Sequence, residues 1–506
     1  MRRGLTRSFI TIAILSASAT FCGFVRNVML LRKVGVGVTS DSFFAATTLI
    51  DFIIMVTGLL SLLSVATSTF SMPGIDKPKY YTSFMSLLVC YALCFALIGI
   101  AFPGLFVSLA FHGMAAEGRA ATQLLVRILA VNVVFVAGFK VLNSILGVEK
   151  MFVRQNIPLV IINLLGCAVV SLASLDRLVT ALSISLPCSY GAAFICQIVM
   201  LMRRGYTFAV PGWRRMLAEW KKIILLSLPL MLSNGAESLS YIVDKSIASY
   251  FSAGVITALT TAQSLTFFAV RIILFPLMRV IFPEFSRLYH CGQRHELKKV
   301  YYHAMEYIAV VFIPISIFIF MHNEALVRGI FAGSKCTAED AATVAHLQYY
   351  YSVALVFNVF SMVPNFLLQG AQRNKAAGLT GLVGFLANII FSILFSFLFG
   401  YIGIPLGTTA SFLISGILMV VMVKKTIGFL ISPQVLFTSL IILALGLFSA
   451  WISTMINIGA VPLFAAERFE YMPALAGKMT FFPLCWALCF IIFKVFYKRN
   501  IFSLSY

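Results

Sequence analysis

Long apolar runs separated by short polar segments follow one another along almost the whole chain. The runs are continuous rather than alternating, and a helix needs about 20 apolar residues to cross a bilayer. Hydrocarbon offers no partner to backbone polar groups, so such runs predict helices. We therefore predict an all-α polytopic membrane protein with about fourteen spans. The predicted spans are residues 8–31, 42–70, 81–102, 124–146, 156–175, 179–202, 223–250, 255–283, 304–321, 347–369, 376–399, 402–423, 433–455 and 479–497.

The polar segments between the spans are short, the longest being about 25 residues. They leave no room for a soluble domain or for the catalytic groups of a membrane glycosyltransferase. A nucleotide-binding P-loop is missing too, because Gly477-Lys478 is followed by Met479 and lacks the preceding glycine frame. We expect a transporter rather than an enzyme, with no cofactor and no metal.

The charge of the chain indicates its orientation. Of 506 residues, 61% are hydrophobic and 11% charged, and the formal net charge is +21. Loops on the cytoplasmic side of a membrane collect Lys and Arg, so this excess does not indicate a nucleic-acid partner. If both termini are cytoplasmic, most Lys and Arg residues fall in cytoplasmic segments. We therefore predict that both termini are cytoplasmic. The basic group before span seven comprises Arg203, Arg204, Arg214, Arg215, Lys221 and Lys222.

A weak internal repeat suggests two lobes. Asn143-Ser144-Ile145-Leu146-Gly147, a polar turn and Asn163 match Asn365-Phe366-Leu367-Leu368-Gln369-Gly370, a polar turn and Asn388. Inverted or parallel repeats of this kind commonly flank a transporter's substrate site. We predict an N-lobe over residues 1–204 and a C-lobe over 223–425, related by a pseudo-twofold axis. Residues 205–222 would form a basic interfacial helix, and 426–506 two extra spans.

Ionisable side chains at bilayer depth cost several kcal/mol, so each is a candidate functional residue. Arg127 and Arg279 lie near helix ends, from which they can extend to the interface. Asp244 and Lys245 are adjacent and point about 100° apart, so they pair poorly with each other. The candidates for substrate binding are Arg26, Asp41 and Arg271. The candidates for lining the cavity or for ion coupling are Asp51, Lys140, Glu237, Asp244 and Lys245.

Arg26 and Arg271 each lie well inside an apolar run, in opposite lobes. The guanidinium fork matches phosphate oxygens in a bidentate manner, so two such groups facing one cavity would suit a diphosphate. The alternative is that each arginine pairs with an acidic side chain, and the two interpretations carry equal weight at this point. The possible acidic partners are Asp41 or Asp51 for Arg26, and Glu237 or Asp244 for Arg271.

A set of short motifs lies along the first eight predicted spans. The opening motifs are Gly23-Phe24-Val25-Arg26-Asn27, Gly35-Val36-Gly37 and Asp41-Ser42-Phe43-Phe44-Ala45-Ala46. Later ones are Pro229, Ser233, Tyr241-Ile242-Val243-Asp244, Ala248-Ser249, Gly254 and Phe282-Pro283-Glu284-Phe285-Ser286-Arg287. These motifs resemble those of the MurJ/MviN family of lipid II flippases, within the multidrug/oligosaccharidyl-lipid/polysaccharide exporter superfamily. The resemblance implies two lobes around a cationic cavity, alternating access, and a groove for the lipid tail at spans thirteen and fourteen.

The chain departs from the family at several charged positions. The family's Ser-Arg of span one is Ala19-Thr20 here, and its charged pairs of span two are apolar. Its Asp-Arg-Leu of span eight is Gln263-Ser264-Leu265. Only Arg26 of the cavity arginines carries over, with Asp41 beside it. Arg271 lies two turns beyond Ser264 on the same helix face and is predicted to substitute.

The resemblance implies a flippase for an undecaprenyl-diphosphate-linked glycan precursor, with lipid II as the first choice. The alternatives are a flippase for another lipid-linked oligosaccharide of O-antigen or capsule type, and a cation-coupled multidrug exporter. Expected partners are the lipid-linked glycan, the bilayer and cell-wall synthesis proteins, with the chain acting as a monomer. The expected location is the bacterial cytoplasmic membrane.

Overall fold

A computed structural model describes residues 2–56, 77–148, 151–203, 239–331, 335–429 and 432–455 of the chain. It also describes residues 217, 220–221, 482–484, 486–487 and 491. Within these ranges the protein is helical and contains no β-strand, so the predicted all-α class is confirmed. The chain forms two compact units, Met1–Thr257 and Ala258–Tyr506.

Among the described helices of the first unit, Ala116–Val148 contacts the largest number of neighbours. The described helices of this unit are α1 Arg2–Val34, α2 Val38–Val56, α3 Lys77–Ala101, α4 Pro103–Ala110, α5 Ala116–Val148, α6 Phe152–Leu172 and α7 Leu178–Met202. Residues 239–248 are helical as well. Helix α5 packs against α2, α3 and α7, while α1 lies along α6. Small residues permit this close approach between membrane helices: a Cβ at Gly138 would overlap the ring of Phe194.

The second unit has a similar arrangement of helices. It begins within α8 Val255–Thr266 and continues through a π-helical turn Val270–Leu274. Among its described residues, six longer helices follow. These are α9 Phe275–His290, α10 Arg294–Phe331, α11 Ala338–Gly370, α12 Asn374–Phe399, α13 Gly403–Ile427 and α14 Pro433–Met455. Helix α11 packs against α9, α10 and α13, α12 lies along α13, and α14 packs on α10.

The packing within each unit follows the predicted repeat. The neighbours α2, α3 and α7 of helix α5 correspond in chain order to the neighbours α9, α10 and α13 of helix α11. The Asn-and-Gly motifs of the repeat lie at the ends of α5 and α11, each followed by a helix that carries the second Asn. The lobe boundaries at residues 204 and 223 stay a prediction. The interfacial helix predicted over 205–222 lies almost entirely outside the described residues.

Many of the described helices could cross a membrane. Eight segments are long and apolar enough, or ten if each of two bent pairs forms one span. One of the eight, Asn374–Ile427, contains both predicted spans eleven and twelve. The bent pairs are Met85–Ala101 with Pro103–Ala110, at 82°, and Val255–Thr266 with Val270–His290, at 41°. The predicted spans 42–70, 223–250 and 479–497 lie partly or mostly outside the described residues, so the count of fourteen stays a prediction.

We predict that Lys335 lies outside the cell and Cys291 inside, because nine predicted spans separate Lys335 from the cytoplasmic N-terminus and eight separate Cys291 from it. Both residues are exposed. Single-cysteine proteins that carry either K335C or native Cys291 should differ when intact cells meet a membrane-impermeant maleimide. Only K335C should react before permeabilisation. Labelling of Cys291 from outside would reverse the orientation.

Candidate functional site

Arg26 lies on α1 in a groove formed by α6. Its Nε and Nη2 donate to Asn27 Oδ1 at 3.3 and 3.1 Å, and its Nη1 donates to Asn163 Oδ1 at 3.4 Å. The amide of Asn163 is fixed in turn, because its Nδ2 donates to the carbonyls of Ala19 and Leu159 at 3.2 and 2.9 Å. Neutral amides therefore orient this guanidinium without neutralising its charge.

Two glycines make room for this arrangement. A Cβ at Gly166 would lie 2.7 Å from Arg26 Cδ, and one at Gly23 would lie 3.1 Å from Asn163 Oδ1. Gly23 precedes Arg26 by less than one turn of the same helix, while Gly166 lies on α6. The Gly-Phe-x-Arg motif therefore combines a charged side chain with the small residue that lets its supporting helix approach.

Asp51 joins Arg26 to two lysines from other helices. The Asp51 carboxylate interacts electrostatically with Arg26 on α1, Lys140 on α5 and Lys245 in the helical residues 239–248. It also interacts with the phenol of Tyr190 on α7. The sequence predicted each of these groups as a candidate except Tyr190. Tyrosine carries no charge and lies here within the apolar sequence of α7, so nothing in the pattern singled it out. We call Arg26, Asp51, Lys140, Tyr190 and Lys245 the charged cluster.

Lys245 and Asp244 are both buried, with 7% and 2% of their surface exposed. Lys245 Nζ donates to Thr48 Oγ1 on α2. Among the carboxylates that act on this ammonium group, Asp51 acts most strongly, followed by Asp244 and Asp41. Lys245 therefore joins the helical residues 239–248 to α2. This contact places the ammonium group in the charged cluster.

Asp41 is buried at the start of α2, where it binds the beginning of α8. Its Oδ2 accepts from the Gly254 backbone N–H at 2.6 Å, and its Oδ1 accepts from the Thr257 N–H and hydroxyl at 2.8 and 2.6 Å. A carboxylate at a helix N-terminus is stabilised by the exposed N–H groups and by the helix dipole. This geometry favours a structural role for Asp41, and its predicted contact with substrate stays a prediction.

Further contacts tie the same segments together around Asp41. The Gly113 N–H donates to Ser249 Oγ at 3.2 Å, and a Cβ at Gly254 would come within 2.8 Å of Val36 Cγ1. Gly254 has φ +98°, a conformation that favours glycine. A cavity of about 190 Å³ borders Asp41, lined mainly by residues 113–118 and 248–256. We call Asp41 and its contacts with Gly254 and Thr257 the Asp41 latch.

We expect D41A to lower the melting temperature of the purified protein strongly. The change leaves two buried backbone N–H groups without an acceptor, each costing about 1–3 kcal/mol. D41N retains an acceptor oxygen and should lower the melting temperature less. Thermal unfolding of both proteins in detergent measures the difference. A D41A protein as stable as the wild type would show that the latch contributes nothing.

Arg271 lies in the second unit, within the π-helical turn between α8 and α9. Its side chain is exposed. π-Helical turns are uncommon and are often found at functional sites, since they re-aim a side chain and bend the helix. The sequence predicted Arg271 as a candidate but not the turn. That Arg271 shares a cavity with Arg26 stays a prediction.

The structure describes only some of the remaining charged residues that the sequence singled out. Glu237 lies outside the described residues, and the side chain of Arg279 does too. Arg127 is exposed, but α5 begins at Ala116, so this residue lies about three turns inside the helix rather than near its end. Among the described residues, no group of three His, Cys, Asp or Glu side chains could hold a metal ion.

Comparison with known proteins gives one family over most of the chain. The sequence model of the family described as lipid II flippase MurJ matches residues 31–476. A solved structure of a lipid II flippase MurJ in an inward closed conformation superposes with a TM-score of 0.81. It covers 97% of this chain and 100% of that one at 18% identity. At that identity the superposition shows the fold alone.

Curated relatives align over shorter stretches. A probable multidrug resistance protein NorM of Mannheimia succiniciproducens is 24% identical over 43% of this chain and 46% of its own length. A probable lipid II flippase MurJ of Rhizobium meliloti is 21% identical over 32% of this chain and 31% of its own length. The chain thus spans less than half the length of these two relatives.

Proposed function

Since the chain belongs to the lipid II flippase MurJ family, a family of transporters rather than enzymes, we propose that it moves an anionic lipid-linked glycan precursor across the cytoplasmic membrane. The proposed substrate is an undecaprenyl-diphosphate-linked precursor for peptidoglycan, with lipid II as the first choice. The observation that carries this proposal is the charged cluster, in which Arg26, Lys140 and Lys245 bring three cations to one carboxylate inside the first unit.

The chemistry of the cluster suits a diphosphate. Arg26 presents its guanidinium on amide supports, so the charge stays available for phosphate oxygens. Lys140 and Lys245 add two ammonium groups from other helices, which can bind phosphate as point charges. Such a set of basic groups at span depth would be costly facing lipid. We propose that it lines the path of the substrate's diphosphate.

The Asp41 latch gives the transport cycle a contact that can break. In alternating access, the outer face closes while the inner face is open, and the contacts that close it are remade in each cycle. The latch holds α2 against the start of α8 through three hydrogen bonds. We propose that these bonds hold the outer side shut and break when it opens.

The apolar tail of the substrate needs a separate route. Helix α14 packs on α10 through a core that includes Ile313, Ile317, Ile442 and Ala450. Its other face exposes large apolar side chains such as Leu440, Leu447 and Trp451. We propose that this region holds the polyprenyl tail.

Two further expectations concern partners and assembly. We expect the protein to act with cell-wall synthesis proteins and to function as a monomer.

Complementation tests the proposal in cells. Expression of the chain in a bacterium depleted of its own lipid II flippase should restore growth and prevent lipid II from accumulating on the inner leaflet. The purified protein should leave lipid II chemically unchanged, since the proposed activity moves the molecule without reacting with it. Expression without rescue, with the protein present in the membrane, would contradict the proposal for lipid II.

The exporter alternative has one observation in its favour, the alignment with the multidrug resistance protein NorM. A cation-coupled drug exporter would bind its cargo with acidic groups, and Asp51 and Asp244 could serve. The three cations around Asp51 favour an anionic cargo instead. Resistance of expressing cells to cationic dyes, without rescue of the depleted strain, would support the exporter.

A further inference from the structure

We propose that Asp51 is an internal counter-ion that holds the place of the substrate's diphosphate among Arg26, Lys140 and Lys245, and that the arriving substrate displaces it. This inference rests on the proposed function and adds a role that the diphosphate ligands themselves do not have. It predicts that the Asp51 carboxylate competes with the diphosphate for the three cations and so weakens substrate binding.

The first argument is where Asp51 lies. It is on α2, about 15 Å along the helix from Asp41 at the rise of an ordinary α-helix. Its side chain is exposed, although neighbours on the same helix such as Leu49, Ile50 and Ile53 are buried. An exposed carboxylate at this depth of a predicted span needs water or cations around it. Space around Asp51 is what a ligand would need in order to approach.

The second argument is the set of groups that act on it. Cations come from three other elements. Lys245, from residues 239–248, is fixed to α2 one turn from Asp51 by its hydrogen bond to Thr48. Arg26 from α1 and Lys140 from α5 lie within electrostatic range of the same carboxylate. Among the described residues, the other titratable groups that act on these cations or on Asp51 are Tyr190 on α7, Cys167 on α6, Asp244 beside Lys245, and Asp41. Asp41 is occupied by the latch. Among the described carboxylates, Asp51 is therefore the one that acts on all three cations.

The third argument concerns turnover. Three cations without a counter-ion would hold a diphosphate tightly in every state, and equal binding in all states does not drive transport. A carboxylate on a rigid helix competes for the same donors, so it lowers affinity and assists release. Asp51 would move little, while the longer Arg26, Lys140 and Lys245 side chains exchange one anion for another.

Binding of a short polyprenyl diphosphate tests the counter-ion directly. The full-length wild type and D51N are purified in detergent and titrated with farnesyl diphosphate. Removing one competing charge at an effective dielectric near 20 should tighten binding by at least about tenfold. D51E retains the charge and should bind like the wild type. D176N, which removes an exposed carboxylate in the short turn Leu175–Arg177 between α6 and α7, should also bind like the wild type.

Acidification provides a second measurement. Protonation of Asp51 removes the competitor, so wild-type binding should tighten as the pH falls, relative to D51N at the same pH. The D51N series corrects for protonation of the probe's own phosphates. If D51N cannot be recovered folded, D51S replaces it in both experiments, and tightening of wild-type binding on acidification supports the proposal.

The outcomes separate this inference from the proposed function. Binding by D51N that equals or is weaker than wild-type binding overturns the counter-ion, even if the wild type rescues the depleted strain. The counter-ion is also overturned if wild-type affinity stays constant or weakens on acidification and D51N affinity shows the same dependence on pH. Failure of the wild type both to bind farnesyl diphosphate and to rescue the strain overturns the proposed function itself.

Discussion

Replacing Arg26 with Ala is expected to abolish transport while leaving a folded protein in the membrane. The guanidinium is oriented by hydrogen bonds to the side-chain amides of Asn27 and Asn163, which carry no charge of their own. Losing two charge-assisted hydrogen bonds to a phosphate costs about 3–6 kcal/mol, which corresponds to at least a hundredfold loss of affinity. Rescue of a flippase-depleted strain, with expression checked by immunoblot, measures the effect.

Two matched variants show whether the loss is specific. R26K retains the charge but not the fork, so it should rescue only in part. R127A removes an exposed arginine at the start of the predicted span 124–146, about three turns into α5, and should rescue fully. Full rescue by R26A would indicate that Arg26 merely fastens α1 to α6, since its contact with Asn163 joins those two helices.

Arg271 is expected to be as important as Arg26, although it lies in the other unit. An exposed arginine in a π-helical turn inside a predicted span would be costly facing lipid, and the irregular turn re-aims the side chain. R271A should therefore fail to rescue the depleted strain. R271K should rescue weakly, because a point charge lacks the planar fork.

A control from the same unit accompanies this second prediction. Arg294 is exposed at the start of α10, next to the turn after α9. R294A removes the same charge outside the predicted spans and should behave like the wild type. If R271A rescues as well as R294A does, Arg271 takes no part in substrate binding, and the first unit alone supplies the cations.

The apolar pattern was sufficient to predict the helical class and most described spans, because a bilayer leaves few alternatives to a helix. It was less informative about irregular backbone. Span eight was predicted as one helix over 255–283, whereas the structure has a π-helical turn at Val270–Leu274. One extra residue in a turn does not change the hydropathy, so the sequence carries no signal of it.

The candidate site was predictable as a set of residue types but not as a set of partners. Span depth alone identified Arg26, Asp51, Lys140 and Lys245, because charges are rare there. It could not show that Asn163, far along the chain, supports Arg26. Nor could it show that Asp41 reaches the start of α8, since such contacts depend on how distant helices pack.

Translocation in reconstituted vesicles is the most direct test of the central claim. Purified protein is incorporated into liposomes that contain fluorescent lipid II, and a membrane-impermeant quencher reports how much lipid remains on the outer leaflet. We predict that the wild type equilibrates lipid II between leaflets and that R26A does not. Absence of protein-dependent movement, together with transport of a cationic dye by the same vesicles, would contradict the account.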